Sequence, residues 1–387
     1  MRDRAFYPAL DGLRAVAFLM VFFQHYAAMP WGWTGVNVFF VLSGFLITGI
    51  LFDNRDDPHR ARNFYIRRTL RIFPLYYGLF LGFLLLNPIM RWNWSPAWLA
   101  WPLYLGNFLR FRSPAVADRG SSQQLAADGH LTSLRFPKFD PLRLGHFWSL
   151  CVEEQFYLAW PWVVFSVRSR RTLLWICGGV VVVVPVLRVV AQHTAPPWMV
   201  RQALLDWATP SQVDALLLGG FVALLWRGPN RKRLLFNGKV VAAIAAVVAA
   251  SYLAMTIRPG APGDYVYPSW MFTWGMTFAN IFAACVLLCA LHSGNLVHRV
   301  LALRPLRWLG RISYGAYVLH EMFHDLYRHI VSGTGVRYVW LTAHFRLGTA
   351  ALALASTVFL AWLSFRFVET PFLNLKERWT IRDNPLH

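Results

Sequence analysis

Three ionisable side chains stand in the first apolar run of the sequence, LDGLRAVAFLMVFFQHY: Asp11, Arg14 and His25. An ionisable group in hydrocarbon is costly and faces a bundle interior or a wet cavity, so each is a candidate for function. Asp11 and Arg14 are three residues apart and Arg14 and His25 eleven, close to three whole turns, so a helix brings all three near one face. Eleven residues rise about 16 Å, from the inner surface to the outer half of a bilayer. A neutral imidazole there can take a proton from a hydroxyl and return it, the step an alcohol needs when it attacks a thioester. The alternative is a structural Asp11–Arg14 pair with His25 hydrogen-bonded in the core. A histidine base needs an orienting carboxylate. The segment HFWSLCVEEQFYLAWP puts Glu153 and Glu154 at the same depth as His25, where either could hold the imidazole or form a structural ion pair.

A second constellation is FYIRRTLRIFPLYY, where Arg68 and Arg71 share a helical face and Arg67 lies one residue before. Arginine forks bind phosphates bidentately, and arginines at an inner membrane surface also serve topology and lipid headgroups. In GVNVFFVLSGFLITGILF, Gly35, Ser43, Gly44 and Gly49 favour close helix approach, with Ser43 also a donor able to line a cavity. Isolated polar groups follow at Asp214, in SYGAYVLHEMFHDLY (Ser313, Tyr314, Tyr317, His320, Glu321, His324) and at Glu369. Each alone reads as a satisfied interior group. Together they describe a bundle with a wet core.

The elements that must position these groups are membrane helices. The chain has 387 residues, 57% of them hydrophobic and only 14% charged, too apolar for a soluble enzyme of this length. Apolar windows near the spanning length recur at roughly 9–28, 35–52, 72–88, 148–167, 173–191, 211–226, 239–256, 270–291, 309–330 and 346–367. The expected fold is all-α, a polytopic membrane bundle of about ten helices. With the N-terminus inside, 24 of the 38 Lys/Arg residues fall on the cytoplasmic side, so both termini are expected there. The formal charge of +20 is then topology and not a nucleic-acid footprint, since the basic residues sit between spans. The basic start lacks a small-residue cleavage site and reads as a retained first helix.

Residues 1–372 form one expected membrane domain and 373–387 a cytoplasmic tail. The long outer segment 89–147 carries Trp94, Trp98 and Trp101 at helical spacing, which predicts a short interfacial helix anchored by an aromatic stripe. Its polar part, 113–145, predicts an exposed loop over the outer mouth. Cys151, Cys177, Cys285 and Cys289 lie in apolar segments without CxxC spacing, so they read as small core residues, and no metal site is expected.

LDGLRAVAFLMVFFQH (10–25), GVNVFFVLSGFLI (35–47), YIRRTLRIFPLYY (65–77), FWSLCVEEQFYLAWP (147–161), DALLLGG (214–220), LGRISYGAYVLH (309–320) and ETPF (369–372) occur in this order. On these motifs, over nearly its whole length, the chain resembles the acyltransferase-3 family of membrane acyltransferases. The resemblance implies a ten-helix domain that takes acyl groups, often acetyl, from cytoplasmic acyl-CoA to an extracytoplasmic glycan or similar acceptor. It implies that the family's Arg and His of helix one fall on Arg14 and His25, and its RxxR motif on Arg68 and Arg71. His25 would be the base or a transient acyl carrier, and Arg68 and Arg71 would hold the CoA phosphates. The family pattern has an Arg two residues before the Asp of DALLLG where this chain has Gln212. Cys151 falls where the family position is small and variable, which argues against a thiol nucleophile. Many relatives carry a further C-terminal esterase-like domain, whereas here about 20 residues follow the last span. Acceptor choice is then expected to come from the bundle and the 89–147 segment.

The expected activity is acyl-CoA-dependent O-acyl transfer at the cell membrane to a saccharide or glycan hydroxyl, with acyl-CoA, chiefly acetyl-CoA, as donor substrate and no permanently bound cofactor. His25 is the expected base, Glu154 or Glu153 its orienter, and Asp11 the support of Arg14. Arg14, Arg68, Arg71, Arg67 and Ser43 are expected to face the donor. The bilayer is the other partner. A secondary transporter would use intramembrane Asp, Glu and His equally well, but no inverted repeat or matched pair of broken helices is evident. A non-enzymatic glycan-assembly partner would depend on the outer loop and not on His25.

Overall fold

Where two helices cross closely, the residue at the crossing has no room for a side chain. A Cβ on Gly44 would run into the Leu216 carbonyl, and one on Gly219 into Val41 across the same crossing. This joins α2 (Thr34–Asp53) to α6 (Thr209–Trp226), whose mutual packing is the most extensive in the fold. Gly12 against Leu301 and Gly310 against Asp11 do the same for α1 (Pro8–Ala27) and the short helices α8 (Leu296–Leu301) and α9 (Arg304–Arg311).

The structure, a computed structural model, describes residues 7–27, 29, 31–90, 96–112, 144–194, 208–229, 241, 243–250, 269–322 and 339–381. The other helices are α3 (Arg60–Met90), α4 (Trp148–Ser166), α5 (Arg170–Thr194), α7 (Trp274–Leu291), α10 (Ser313–Leu319), α11 (Val339–Ser364) and α12 (Thr370–Trp379). A π-type turn at Phe365–Glu369 joins the last two. Among the described residues there is no strand.

α2 is apolar on every side and buried along its length, as such a helix must be, with α1, α4, α6 and α7 around it. α5 stands at the perimeter and turns Trp175, Val182, Val183, Val186 and Leu187 outward. In a soluble protein that would be an exposed apolar patch; here it is a face for lipid.

Six helices among the described residues are long and apolar enough to cross a membrane: Thr34–Asp53, Arg60–Ile89, Arg170–Thr194, Thr209–Trp226, Trp274–Leu291 and Gly348–Trp379. They coincide with six of the ten expected spans. The expected spans 9–28 and 148–167 are helical too, as α1 and α4, but less apolar because they carry Asp11, Arg14 and His25 in one and Glu153 and Glu154 in the other. The expected span 309–330 is broken at Ile312, and its end lies outside the described residues, as does much of 239–256.

The tryptophan stripe takes another form. Trp94 and most of 113–145 lie outside the described residues, and Pro96–Ala100 is a 3-10 turn and not an α-helix. Trp101 is buried against Phe147 and Gly106, and Trp98 packs on the same apolar cluster. A proline start and a tighter helical period break the i, i+4, i+7 alignment, so these two rings pack inward. All four cysteines are free and buried.

Candidate active site

The polar groups gather at two neighbouring places. The first is a cavity lined by Arg14, Arg68, Arg71, Ser43, Glu153, Glu154, Tyr157, Ser149, Tyr314 and Tyr317 over an apolar floor from α2 and α3. Its empty volume of about 830 Å³ falls in the range of small-molecule sites. Each charged wall follows from a helical spacing. Arg68 and Arg71 leave one face of α3, and Glu153 and Tyr157, four apart, leave one face of α4.

The charges in the cavity are interlocked. Arg14 donates from Nη1 to Asp11 Oδ1 at 3.1 Å. The Arg68 guanidinium stacks over the Tyr157 ring at 4.7 Å. The Tyr157 hydroxyl hydrogen-bonds Ser43, and Glu153 engages both of these hydroxyls and the charges of Arg68 and Arg14. Glu154 faces Arg68, and Glu369, held by the Ser364 hydroxyl at 3.3 Å, faces Arg71 from behind. Three arginines and two glutamates line the space. Gln155, the next residue of α4, turns away and ties this helix to the Tyr104 carbonyl at 2.7 Å and to Asn107 at 3.0 Å. The VEEQ run thus splits into two cavity groups and one anchor.

The second place is a cluster of three imidazoles around one carboxylate. His25 Nδ1 lies 3.4 Å from Glu321 Oε1, and His146 Nδ1 lies 3.1 Å from Glu321 Oε2. His146 Nε2 faces the Val318 carbonyl at 3.1 Å. Both nitrogens of this ring therefore meet oxygen atoms, one of the Val318 carbonyl and one of Glu321. His320 donates from Nδ1 to the Tyr317 carbonyl at 2.6 Å, and its ring centroid lies 5.3 Å from that of His25 and 4.8 Å from that of His146. Glu321, His146 and His320 are buried; His25 keeps about a quarter of its side chain exposed at 27%.

Ser149 and Tyr317 form the wall between the two places. Their hydroxyls are hydrogen-bonded at 2.6 Å, both line the cavity, and both lie within hydrogen-bond distance of the His146 carbonyl, at 3.1 and 3.2 Å, so one donates to that carbonyl and the other to its neighbour hydroxyl. The break at Ile312 makes this possible, because α10 starts afresh there with the Ser313 hydroxyl bonded to the Gly310 carbonyl at 2.8 Å. One side of α10 offers Ser313, Tyr314 and Tyr317 to the cavity, and its C-terminal end carries His320 and Glu321.

Of the residues singled out in sequence, Arg14, Arg68, Arg71, Ser43, Glu153 and Glu154 meet in the cavity, with Asp11 behind Arg14. Arg67 is not in its lining. The expected pairing of His25 with Glu154 or Glu153 is replaced: the carboxylate at His25 is Glu321, while both glutamates of α4 go to the arginines. Similar depth placed them together in sequence, but depth does not fix the azimuth around the bundle. His146 and Tyr317 complete the cluster; Tyr317 stood among the isolated polar groups of the sequence, whereas His146 appeared only as the first residue of HFWSLCVEEQFYLAWP. His324 lies outside the described residues. Asp214 is also answered in space, by Arg188 on α5, fully buried, with Asn280 at 3.0 Å and Asn37 beyond it at 2.7 Å. Removing either member of that pair would strand a buried charge at about 3–5 kcal/mol. Gln212, where the family pattern has arginine, therefore leaves Asp214 with a guanidinium from the neighbouring helix.

The chain is 28% identical over 389 residues to the "Putative peptidoglycan O-acetyltransferase YrhL" of Bacillus subtilis, covering 94% of this chain and 54% of that protein. It is 28% identical over 380 residues to the peptidoglycan O-acetyltransferase OatA of Listeria monocytogenes, covering 95% and 56%. A "Putative O-acetyltransferase" of Staphylococcus aureus strain COL is 24% identical over 383 residues, covering 94% and 57%. The chain thus spans about half the length of the curated relatives it matches. No solved structure matches it. The family model described as an acyltransferase domain, acyltransferase-3, matches residues 7–366, which is nearly the whole chain with both polar places inside it, and the protein is therefore a multi-pass membrane member of the acyltransferase-3 family.

Proposed function

We propose that the chain moves an acyl group, chiefly acetyl, from acyl-CoA to a hydroxyl of a saccharide or glycan, with His25 as general base. The observation that carries this reading is the adjacency of the two polar places: a cavity with an excess of arginine shares the wall Ser149–Tyr317 with a histidine–carboxylate pair. Arg68 and Arg71 suit the phosphates of the donor, and Arg14, fixed by Asp11, suits a polar group deeper along the same molecule. Glu321, with Oε1 3.4 Å from His25 Nδ1, would favour the tautomer that carries its proton on Nδ1 and so turn the Nε2 lone pair to the acceptor, the pair closing to hydrogen-bond distance when the substrate is bound.

In the step itself, Nε2 takes the hydroxyl proton while the oxygen attacks the thioester carbonyl. The C–S bond then breaks, and the departing CoA thiolate recovers the proton from the imidazolium. The products are an ester and free CoA.

The acceptor named for the Listeria relative is peptidoglycan, and a peptidoglycan sugar is the first acceptor proposed here. Residues 1–372 would form one membrane domain of ten spans in the cell membrane, with both termini cytoplasmic and 89–147 on the acceptor side. The test is purified protein with radiolabelled acetyl-CoA and a glycan panel that includes peptidoglycan fragments, beside His25→Ala at equal folded yield. Transfer by the wild type and not by the variant supports the reading. No transfer to any acceptor, with CoA bound no better than by an unrelated membrane protein, overturns it.

A further inference from the structure

The histidine cluster has a second property that base catalysis does not use. One ligand-capable atom from each of His25, His320 and Glu321 lies within 4.8 Å of the others. The 3.4 Å between His25 Nδ1 and Glu321 Oε1 is long for a charge-assisted hydrogen bond, for which about 2.7–2.9 Å is usual. It matches the ligand-to-ligand edge of a tetrahedron around Zn²⁺, about 3.3–3.5 Å for bonds of about 2.0–2.2 Å. His320 offers a nitrogen with nothing else to do. Its Nδ1 is taken by the Tyr317 carbonyl, and its Nε2 is buried with no hydrogen-bond partner among the described residues. An acceptor sealed from water and unpartnered is rare in a native core.

The surroundings are those of a metal ligand set. A ligating histidine usually donates its other N–H to a carbonyl, which fixes the tautomer; His320 does so. A ligating carboxylate is usually held on its free oxygen by a donor; His146 holds Glu321 Oε2 at 3.1 Å and is itself anchored on Val318. Two imidazoles and one carboxylate with a fourth position open form a common zinc arrangement.

We propose that His25 Nδ1, His320 Nε2 and Glu321 Oε1 form a binding site for a divalent transition metal of the zinc class, with His146 as its outer support. The ligand atoms lie within 4.8 Å of one another, so the His320 ring must close inward by up to about 1.4 Å to reach a tetrahedral edge, a shift within the reach of one side-chain torsion. The site does not depend on the acyl-transfer reading, but it constrains it. A neutral imidazole bound through Nδ1 carries its proton on Nε2, so a metal-loaded His25 is no longer a base, and Zn²⁺ should inhibit transfer.

The experiment is titration of chelator-stripped, untagged full-length protein in detergent with Zn²⁺ and with Co²⁺, without substrate. The expected result is one ion per chain and the intense visible bands of tetrahedral Co²⁺. His146→Ala should weaken binding by about 10–100-fold and His320→Ala or Glu321→Gln by more, while His298→Ala, on α8, leaves it unchanged. Should the buried variants fail to fold, His25→Ala at the partly exposed position serves in their place and is expected to abolish the bands. Wild-type protein with no bands, or with binding equal to that of His25→Ala, overturns the proposal. Because binding is read without donor or acceptor and transfer is assayed on the metal-free protein, a chain that binds Zn²⁺ yet transfers nothing when stripped of metal refutes the acyl-transfer reading alone, and one that transfers but holds no metal refutes only this site.

Discussion

The arginine cavity and the histidine cluster share a wall, yet they are built on opposite principles. The cavity is assembled from helix faces. Arg68 with Arg71 and Glu153 with Tyr157 are each neighbours on one helix, and their charges oppose one another across an open space with one arginine in excess once Arg14 and Glu154 are counted. The cluster is buried apart from the edge of His25, and its four members come from the far end of α1, the turn before α4 and the end of α10. An open space with a small excess of positive charge suits an anionic ligand that enters and leaves. A largely buried group of rings around one carboxylate suits the handling of a proton or an ion, because low local dielectric strengthens every interaction inside it.

Under the proposed function, donor binding falls to one place and chemistry to the other, and the largest expected effect tests the second. His25→Ala should lower kcat for transfer by about 10²–10⁴-fold while the affinity for CoA in equilibrium binding stays within about twofold. Next, Glu321→Gln keeps the shape but removes the carboxylate charge, and kcat should fall on the order of 10²-fold. Glu153→Gln or Glu154→Gln should act on donor KM instead; a kcat loss equal to that of Glu321→Gln would return the orienting role to α4. Arg68→Ala and Arg71→Ala should each raise donor KM or the Kd for CoA by about 10–100-fold, the worth of a charge-assisted hydrogen bond, with kcat nearly kept. Smallest of all, Arg67→Ala should change donor affinity by less than about twofold, because its side chain is outside the cavity lining. An Arg67 effect as large as that of Arg71 would break the division between the two faces of α3.

Much of the cavity was legible in sequence, because helical spacing alone brings Arg68 to Arg71 and Asp11 to Arg14. Ser43 was legible only in part. Beside Gly44 it reads first as a packing residue, and the structure divides the two roles, with Gly44 against the Leu216 carbonyl and Ser43 on Tyr157. The partner of His25 was not legible. A ring on α1 can reach any helix that passes at its depth, and Glu153, Glu154 and Glu321 are all plausible by depth. Arg188 was hidden for the same reason, since nothing in α5 alone announces that its one buried cation answers Asp214.

What the sequence determined by itself is what depends on neighbours along the chain. Composition required a bilayer, apolar length placed the helices, and three- and four-residue spacings set which side chains share a face. The tertiary structure alone decided what depends on the rotation of one helix against another. Close crossings at Gly12, Gly44, Gly219 and Gly310 fix those rotations, and the break at Ile312 sets where α10 ends. Rotation is set by packing summed over many contacts rather than by any local run of residues. For that reason Glu321, and not a glutamate of α4, stands at His25.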